Sequence, residues 1–549
     1  EQAAFPPACQ AVPLVVSPTP PLRSAGRVRL ELRCATASVP PWAEQCAGLL
    51  ASTPGLECTV VRGGASGSGQ GVSQVPCVVL CLDVDTACSV DATACWLVTD
   101  SVGQALSHDR PLLQPIVSGQ GIELLLWQRE TPPTHRPGPR DAQAAALDVR
   151  WSLVRRVHLA ASLRYRDGCS RLPDALCRLV QQACVDHDLA CRGLLPVGPP
   201  VQGAVDEQQP WGGVRQPAGA AVRLSGLGTL WLLWQGAARA WWALQCSRWL
   251  RESWAIGIVD APVQHLLQSS GRPPVRWLPS PPGVGYWADP MANGACQNQI
   301  VCEYFDERTG VGHIERLSLD EHGQVCERTR LALGAGKHAS FPLTMFFEGC
   351  WYGMAETSAN RECVLHRVDD SGRWHPVATL LPGVAAADPA LFYWGDRYWL
   401  AYTDMDLGET DNLCLQYASS LSGPWQAHAN NPVKLDVTGA RMAGGVFVHD
   451  GALYRPAQNC LKTYGGAVVL HRILTCTPAA FAEVPVQRLL PDAKGPFADG
   501  LHTVSAWGQR TLVDSKRHVF SLATVWRKLR RRLRPRRHGE GPTMVKVQP

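Results

Sequence analysis

Residues 387–406 read ADPALFYWGDRYWLAYTDMD. The stretch opens on Asp-Pro, runs through an apolar segment, turns at Gly395, and returns through a second aromatic segment that ends on acids. A glycine turn between two β-rich runs is a strong hairpin signal. Four other stretches follow the same plan: ADPMANGACQNQIVCEYFDE from Ala288, SFPLTMFFEGCWYGMAETSA from Ser340, AGGVFVHDGALYRPAQNCLK from Ala443 and DGLHTVSAWGQRTLVDSKRH from Asp499. Their turns fall near Gly294, Gly349, Gly451 and Gly508. The starts lie about fifty residues apart, a spacing in the range of propeller blades. Five such units over residues 275–520 predict a five-bladed β-propeller.

In a propeller the innermost strand of each blade lines the central axis, so side chains at its start converge on one face. Here these are Asp289, His338, Asp388, Arg441, Asp499 and His502. The ends of the return strands add Glu303, Glu356, Asp404, Gln458 and Lys516. Proline after Asp289 and after Asp388 predicts an extended backbone at both aspartates, presenting their carboxylates inward.

Ahead of the repeats, residues 26–195 alternate strand-like runs (27–33, 57–61, 76–83, 94–99) with helix-like ones (41–52, 172–188), the pattern of an α/β layer domain. Neither GxGxxG nor GxxxxGK[ST] occurs, so no nucleotide fingerprint accompanies it. Residues 196–256 read as a Pro/Gly-rich linker and a helix, and residues 257–520 as the propeller. Residues 227–244 hold Trp231, Trp234, Trp241 and Trp242 but are interrupted by Gln235 and Arg239. They read as a helix that packs on the protein or lies at a membrane interface, since spanning needs about 18 or more apolar residues.

Of the 549 residues, 18% are charged and 46% apolar, so most of the chain folds. The net charge of +5 is uneven: from Arg527 to Arg537 there are eight Lys or Arg and no acid, and the rest of the chain sums to −3. The folded part is not expected to bind nucleic acid. The basic run, in a tail at 521–549, suits an anionic membrane surface. Residues 1–25 are Pro-rich and read as a second tail, without a signal-peptide pattern. The 21 cysteines form no CxxC pair and no zinc-like spacing with histidine. They read as buried thiols in a reducing compartment, which predicts a cytoplasmic protein, peripheral at the inner membrane through its tail. No metal site and no cofactor are expected.

The runs YWADP, KHASFP, ADPALF, SGPWQAHANNPV, GARMAGG, YRPAQNC, YGG and DGLHTVS, in this order, resemble the N-terminal propeller domain of plant glucosamine inositolphosphorylceramide transferases and its bacterial relatives in surface-glycan loci. The resemblance covers roughly residues 250–518 and implies a propeller linked to glycan or glycolipid assembly. More distantly, the fold is similar to furanosidase-type five-bladed glycosidases, which use an Asp in the first blade, a supporting Asp in a middle blade and a Glu as acid. By motif, Asp289 and Asp388 match the first two. Glu356 and Glu303 are both candidates for the third, and blade four carries YRPAQN where that Glu is expected.

The chemistry follows from these residue types. Two carboxylates on one face can serve as base and electrostatic stabiliser at an anomeric carbon. Arg441 and Arg455 can bind a phosphate or carboxylate in bidentate fashion. Gln458 and Tyr464 can hydrogen-bond sugar hydroxyls, and His338, Asp499 and His502 complete the expected binding set. The leading expectation is a glycosyltransferase-like enzyme taking a sugar donor or glycan. A glycoside hydrolase and a non-catalytic glycan-binding propeller are the alternatives.

Overall fold

The computed structural model describes residues 28–34, 41–51, 56–62, 77–81, 94–99, 122–129, 151–160, 172–191, 226–268, 273–294 and 296–520. Both expected tails and the segment 196–222 lie outside these. The chain divides into two compact units, one at residues 19–241 and one holding the chain from 242 onward.

In the first unit, strands β1 (Val28–Cys34), β2 (Leu56–Arg62), β3 (Cys77–Cys81), β4 (Ala94–Thr99), β5 (Ile122–Arg129) and β6 (Trp151–Leu159) form one sheet in the order β2-β1-β3-β4-β5-β6. The first four pair in parallel, and β5 and β6 add antiparallel. Helices α1 (Pro41–Ala51) and α2 (Leu172–Cys191) accompany the sheet, giving the expected α/β class. Strands such as CVVLC and ACWLVT are apolar along most of their length, as parallel strands buried on both faces must be. Leu80, Trp96 and Leu97 are accordingly buried. Helix α3 (Gly226–Trp249) follows.

The second unit is a ring of five sheets. Blade one holds β9 (Gly285–Asn293), β10 (Cys296–Asp306), β11 (Val311–Leu319) and β12 (Val325–Arg330). Blade two holds β13 (Ser340–Phe347), β14 (Cys350–Glu356), β15 (Val364–Val368) and β16 (Trp374–Thr379). Blade three holds β17 (Ala386–Trp394), β18 (Arg397–Asp404), β19 (Asn412–Ala418), β20 (Gln426–Ala427) and β21 (Lys434–Leu435). Blade four holds β22 (Phe447–His449), β23 (Ala452–Asn459), β24 (Ala467–Cys476) and β25 (Phe481–Leu489). Blade five joins both ends of the ring: β26 (Gly500–Trp507) and β27 (Arg510–Phe520) pair onto β7 (Leu250–Val259) and β8 (Val275–Trp277). The β27–β7 ladder runs from Thr511↔Val259 to Phe520↔Leu250. The propeller therefore takes its first strand from Leu250, ahead of the expected start at 257. Completing the fifth blade from both ends of the segment closes the ring.

All five inner hairpins turn at the expected glycines, each at positive φ. In Glu348-Gly349, Gly395-Asp396 and Asp450-Gly451 both turn residues have positive φ, as a two-residue I′ turn demands.

Four inner strands carry the same one-residue bulge near their start. Ala288 and Met291 face Glu303 and Val301, so three steps on the inner strand match two on its partner. The same slip separates Ser340 from Leu343, Ala387 from Ala390 and Leu501 from Val504. The bulged pairs are Asp289-Pro290, Phe341-Pro342, Asp388-Pro389 and His502-Thr503. This corrects one expectation. Asp289 (φ 52°), Phe341 (φ 48°) and Asp388 (φ 46°) are left-handed rather than extended. The bulge imposes the turn against the usual preference before proline. A left-handed non-glycine residue costs roughly 1–2 kcal/mol and persists only where its surroundings over-determine it.

Candidate functional site

Hydrogen bonds between blades hold the strained residues. Asp289 N–H donates to Asp514 Oδ2 (2.8 Å), Phe341 N–H to Asp289 Oδ2 (3.1 Å) and Asp388 N–H to Glu356 Oε2 (3.2 Å). In each case the bulge aims a backbone N–H at a carboxylate of the preceding blade. The carboxylates of Asp289 and Asp388 thereby lie buried at the blade starts, 2% and 1% exposed.

Around Asp289 the partners come from blade five. His502 Nδ1 lies 3.1 Å from Asp289 Oδ1 and 3.1 Å from Asp514 Oδ2, and His502 Nε2 lies 2.9 Å from Tyr464 Oη. Burial alone would depress the imidazolium, but the carboxylates of Asp514 and Asp289 outweigh it and raise His502 to about 9. Burial raises Asp289 to about 7 against the pull of His502, with Asp514 and Asp388 adding to the rise. The Asp289 carboxyl thus exchanges its proton near neutrality, as a group that moves protons must.

Around Asp388 the partners come from blade four. Arg441 Nε donates to Asp388 Oδ2 (2.5 Å), Arg441 Nη2 to Oδ1 (3.2 Å) and Gln458 Nε2 to Oδ2 (2.7 Å). Arg441 Nη2 is also 3.8 Å from Glu356 Oε2. Burial raises the Asp388 carboxyl even though Arg441 lowers it. Tyr464 links the two halves: its ring lies 5.2 Å from the Arg441 guanidinium carbon and 5.0 Å from the His502 ring. Burial raises its phenol well above the ordinary value. Gly465, at positive φ, packs where a Cβ would meet Trp254 at 2.8 Å and His502 at 3.1 Å, which explains the glycine in YGG.

The cluster thus unites Asp289, Asp388, Glu356, Arg441, Gln458, Tyr464 and His502. Of the two candidates for the third acid, Glu356 is the one joined to Asp388. Glu303 and His338 form a separate pair, 3.7 Å apart, in and beside blade one. Two expected residues are placed elsewhere. Arg455 is paired with Glu483 through Nε (2.8 Å) and Nη2 (2.5 Å), and it donates to the carbonyls of Ala440 and Gly439. Asp499 is exposed and accepts the His518 N–H.

Three contributors escaped the sequence reading. Asp514 lies mid-strand in RTLVDSKRHVF, where only its contacts with His502, Thr503 and blade one give it a role. Trp254, 4.8 Å from the His502 ring, comes from the closing strand β7. Glu252, on the same strand, receives the fully buried Lys516 ammonium at 2.5 Å. Lys516 also donates to Thr463 Oγ1 and to the Tyr464 carbonyl, fixing the loop that carries Tyr464.

Asp289, His502 and Asp514 also form a group whose ligand atoms lie within 4.8 Å of one another, close enough to hold a metal ion. The sequence reading named no such group, because these residues share no spacing. A cation would have to displace the proton that the two carboxylates hold on His502.

Among the described residues the cysteines form no disulfide, and the Cys81 and Cys95 thiols hydrogen-bond at 3.9 Å.

Residues 296–499 match the family model described as glucosamine inositolphosphorylceramide transferase 1, N-terminal. The glucosamine inositolphosphorylceramide transferase 1 of Oryza sativa subsp. indica is 32% identical over 182 residues, 32% of this chain and 24% of that protein. The protein of the same name from Arabidopsis thaliana is 26% identical over 210 residues, 37% of this chain and 27% of its own length. The matched segment thus spans about a quarter of these relatives. Among solved structures, a GH43_1 enzyme from Xanthomonas citri is similar at 13% identity with a TM-score of 0.31, covering 43% of this chain and 87% of that one. Residues 296–499 of this chain resemble the N-terminal domain of the glucosamine inositolphosphorylceramide transferases, as the motifs from YWADP to DGLHTVS lead one to expect.

Proposed function

We propose that this propeller acts on carbohydrate, as a glycosyltransferase-like module in glycan or glycolipid assembly. One observation carries the reading. Two strained, buried aspartates sit at equivalent bulges, Asp388 inside the region that resembles a glycolipid glycosyltransferase family and Asp289 just ahead of it, and Asp289 has a carboxyl held near 7 beside a charged histidine. In this reading the acceptor oxygen bonds to the anomeric carbon as the bond to the donor's leaving group breaks and that group departs with the electron pair. Asp289 takes the acceptor's hydroxyl proton, and the imidazolium of His502 steadies the Asp289 carboxylate before the transfer. Asp388, oriented by Arg441 and Gln458, places negative charge where an oxocarbenium-like centre develops. Tyr464 and Gln458 supply hydrogen bonds to sugar hydroxyls. A bacterial surface-glycan setting and a cytoplasmic location belong to the same proposal.

One feature favours a second reading, glycoside hydrolysis with the same acids. Arg441 is bound by Asp388 and Arg455 by Glu483, so an anionic sugar donor would have to compete with a buried carboxylate for either guanidinium. A thermal-shift screen of nucleotide sugars, inositol-phosphate head groups and neutral sugars, on wild type and on Asp289→Asn, tests the choice. Stabilisation by a nucleotide sugar that Asp289→Asn alters supports transfer. A response to neutral glycans alone, with sugar released from an aryl furanoside, overturns transfer in favour of hydrolysis.

A further inference from the structure

Helix α3 presents a row of bare aromatic side chains. Trp231, Trp234, Trp241, Trp242 and Trp249 are 57%, 60%, 60%, 64% and 40% exposed, and Leu230 is 64% exposed. At 100° per residue the five tryptophans fall within an arc of about 100°. One face of the helix is therefore aromatic, and among the described residues none covers it to the degree expected of core residues. Contiguous exposed apolar surface of this kind marks an interaction site.

Charge and side-chain type choose the occupant. The 24 residues of α3 contain Arg239 and Arg248 and no acid. Tryptophan, with an apolar ring system and one N–H donor, is enriched at the boundary between acyl chains and water. Among the described residues no helix is long and apolar enough to cross a membrane, which leaves a helix lying in the interface. Continuity adds a third argument. Phe520, 60% exposed, stacks on Trp249 with ring centroids 6.0 Å apart and planes 12° apart. The chain therefore leaves its last described strand beside the C-terminal end of α3. Arg527, the first of the eight basic residues, follows seven positions later, a reach of at most roughly 25 Å.

We propose that α3 is a membrane-docking helix: its tryptophan face inserts into the interface of an anionic phospholipid bilayer while the basic run from Arg527 to Arg537 binds the lipid headgroups. Insertion supplies the apolar contribution and the basic run the salt-sensitive one, the two-signal arrangement that stable peripheral attachment requires. This assignment is independent of the sugar chemistry proposed for the propeller.

The test is flotation of the full-length chain with vesicles of phosphatidylcholine alone and of phosphatidylcholine with about a third phosphatidylserine. The expected result is binding to the anionic vesicles, reduced but not abolished by 0.5 M salt, and weakened on the order of tenfold or more in Trp234→Ala/Trp241→Ala. Both residues are exposed, so the thermal midpoint of the double variant should match wild type, and that match is the check on folding. Lys/Arg→Gln replacement of the tail should remove the salt-sensitive part alone. Binding that survives the tryptophan changes but vanishes with the tail charges would overturn insertion by α3. So would a wild-type dimer that the same tryptophan changes convert to monomer, since the face would then be covered by a second copy. Absence of flotation at low salt would also overturn it.

Discussion

The Asp289 backbone N–H donates to the Asp514 carboxylate at 2.8 Å, across the seam between the first blade and the last. These two residues are 225 positions apart in the chain. The contact joins the last blade to the first, so the Asp289 half of the site depends on the closed ring. Asp514 further accepts from Thr503 N–H (2.8 Å) and from His502.

Replacing Asp514 with Asn keeps the shape but removes the charge that holds His502 protonated. A drop in stability on the order of 2–4 kcal/mol by urea unfolding is expected, since a buried, fully bonded carboxylate is lost. The His502 imidazolium should titrate below its present value of about 9, read by NMR of the ring protons. An unchanged titration would mean that Asp514 does not set the charge of the site.

Stability should fall as pH rises. His502 is raised from 6.5 to about 9, so its contribution is complete below 6.5 and is lost as pH passes through about 9. Asp289 is raised from 3.8 to about 7, so the folded state also binds that proton more tightly, and stability declines between those values. The His502 window is worth about 3 kcal/mol. Urea midpoints at pH 6 and pH 9.5 should differ for wild type and differ less in His502→Gln, which keeps only the Asp289 part.

Arg441→Met leaves Asp388 buried without its counter-charge and should cost about 3–5 kcal/mol. The double change Arg441→Met/Asp388→Asn should recover part of that loss, and a double-mutant cycle measures how much. Arg455→Met should cost about as much, through Glu483, yet leave any carbohydrate-induced thermal shift in place. If Arg455→Met abolished that shift, the placement of this residue outside the site would be wrong.

Two glycine replacements should act in opposite directions. At Gly444 (φ 148°) an added Cβ would meet the Val504 carbonyl oxygen at 2.0 Å, where blade four approaches blade five. Gly444→Ala should therefore destabilise the propeller severely, by about 3 kcal/mol or more. At Gly48, in α1, a Cβ meets nothing within 4 Å. There alanine should stabilise by roughly 0.5–1 kcal/mol. Thermal denaturation of both variants reads the contrast.

The parts legible in the sequence are those whose cause is local. A glycine at positive φ shapes a hairpin by itself, so Gly349, Gly395 and Gly451 declared their turns and, with their spacing, the number of blades. The bulges recur at Asp-Pro, Phe-Pro and Asp-Pro, which is why Asp289 and Asp388 stood out as candidates. The left-handed backbone at these positions did not stand out, because the preference before proline is extended and only the paired strand forces the extra residue into a turn.

What the sequence alone determined is the repeat, its hairpins and the residues offered at each blade start. Only the tertiary structure decided which charges meet. Arg441 and Arg455 look alike in sequence, yet one faces Asp388 at the axis and the other Glu483 away from it. Trp254 and Glu252 reach the site through the β27–β7 ladder, and Asp514 through the β26–β27 hairpin and the seam with blade one. The reason is physical. Backbone turns answer to neighbours one or two residues away, whereas the charge state of a buried acid answers to whatever the closed ring places within about 4 Å of it.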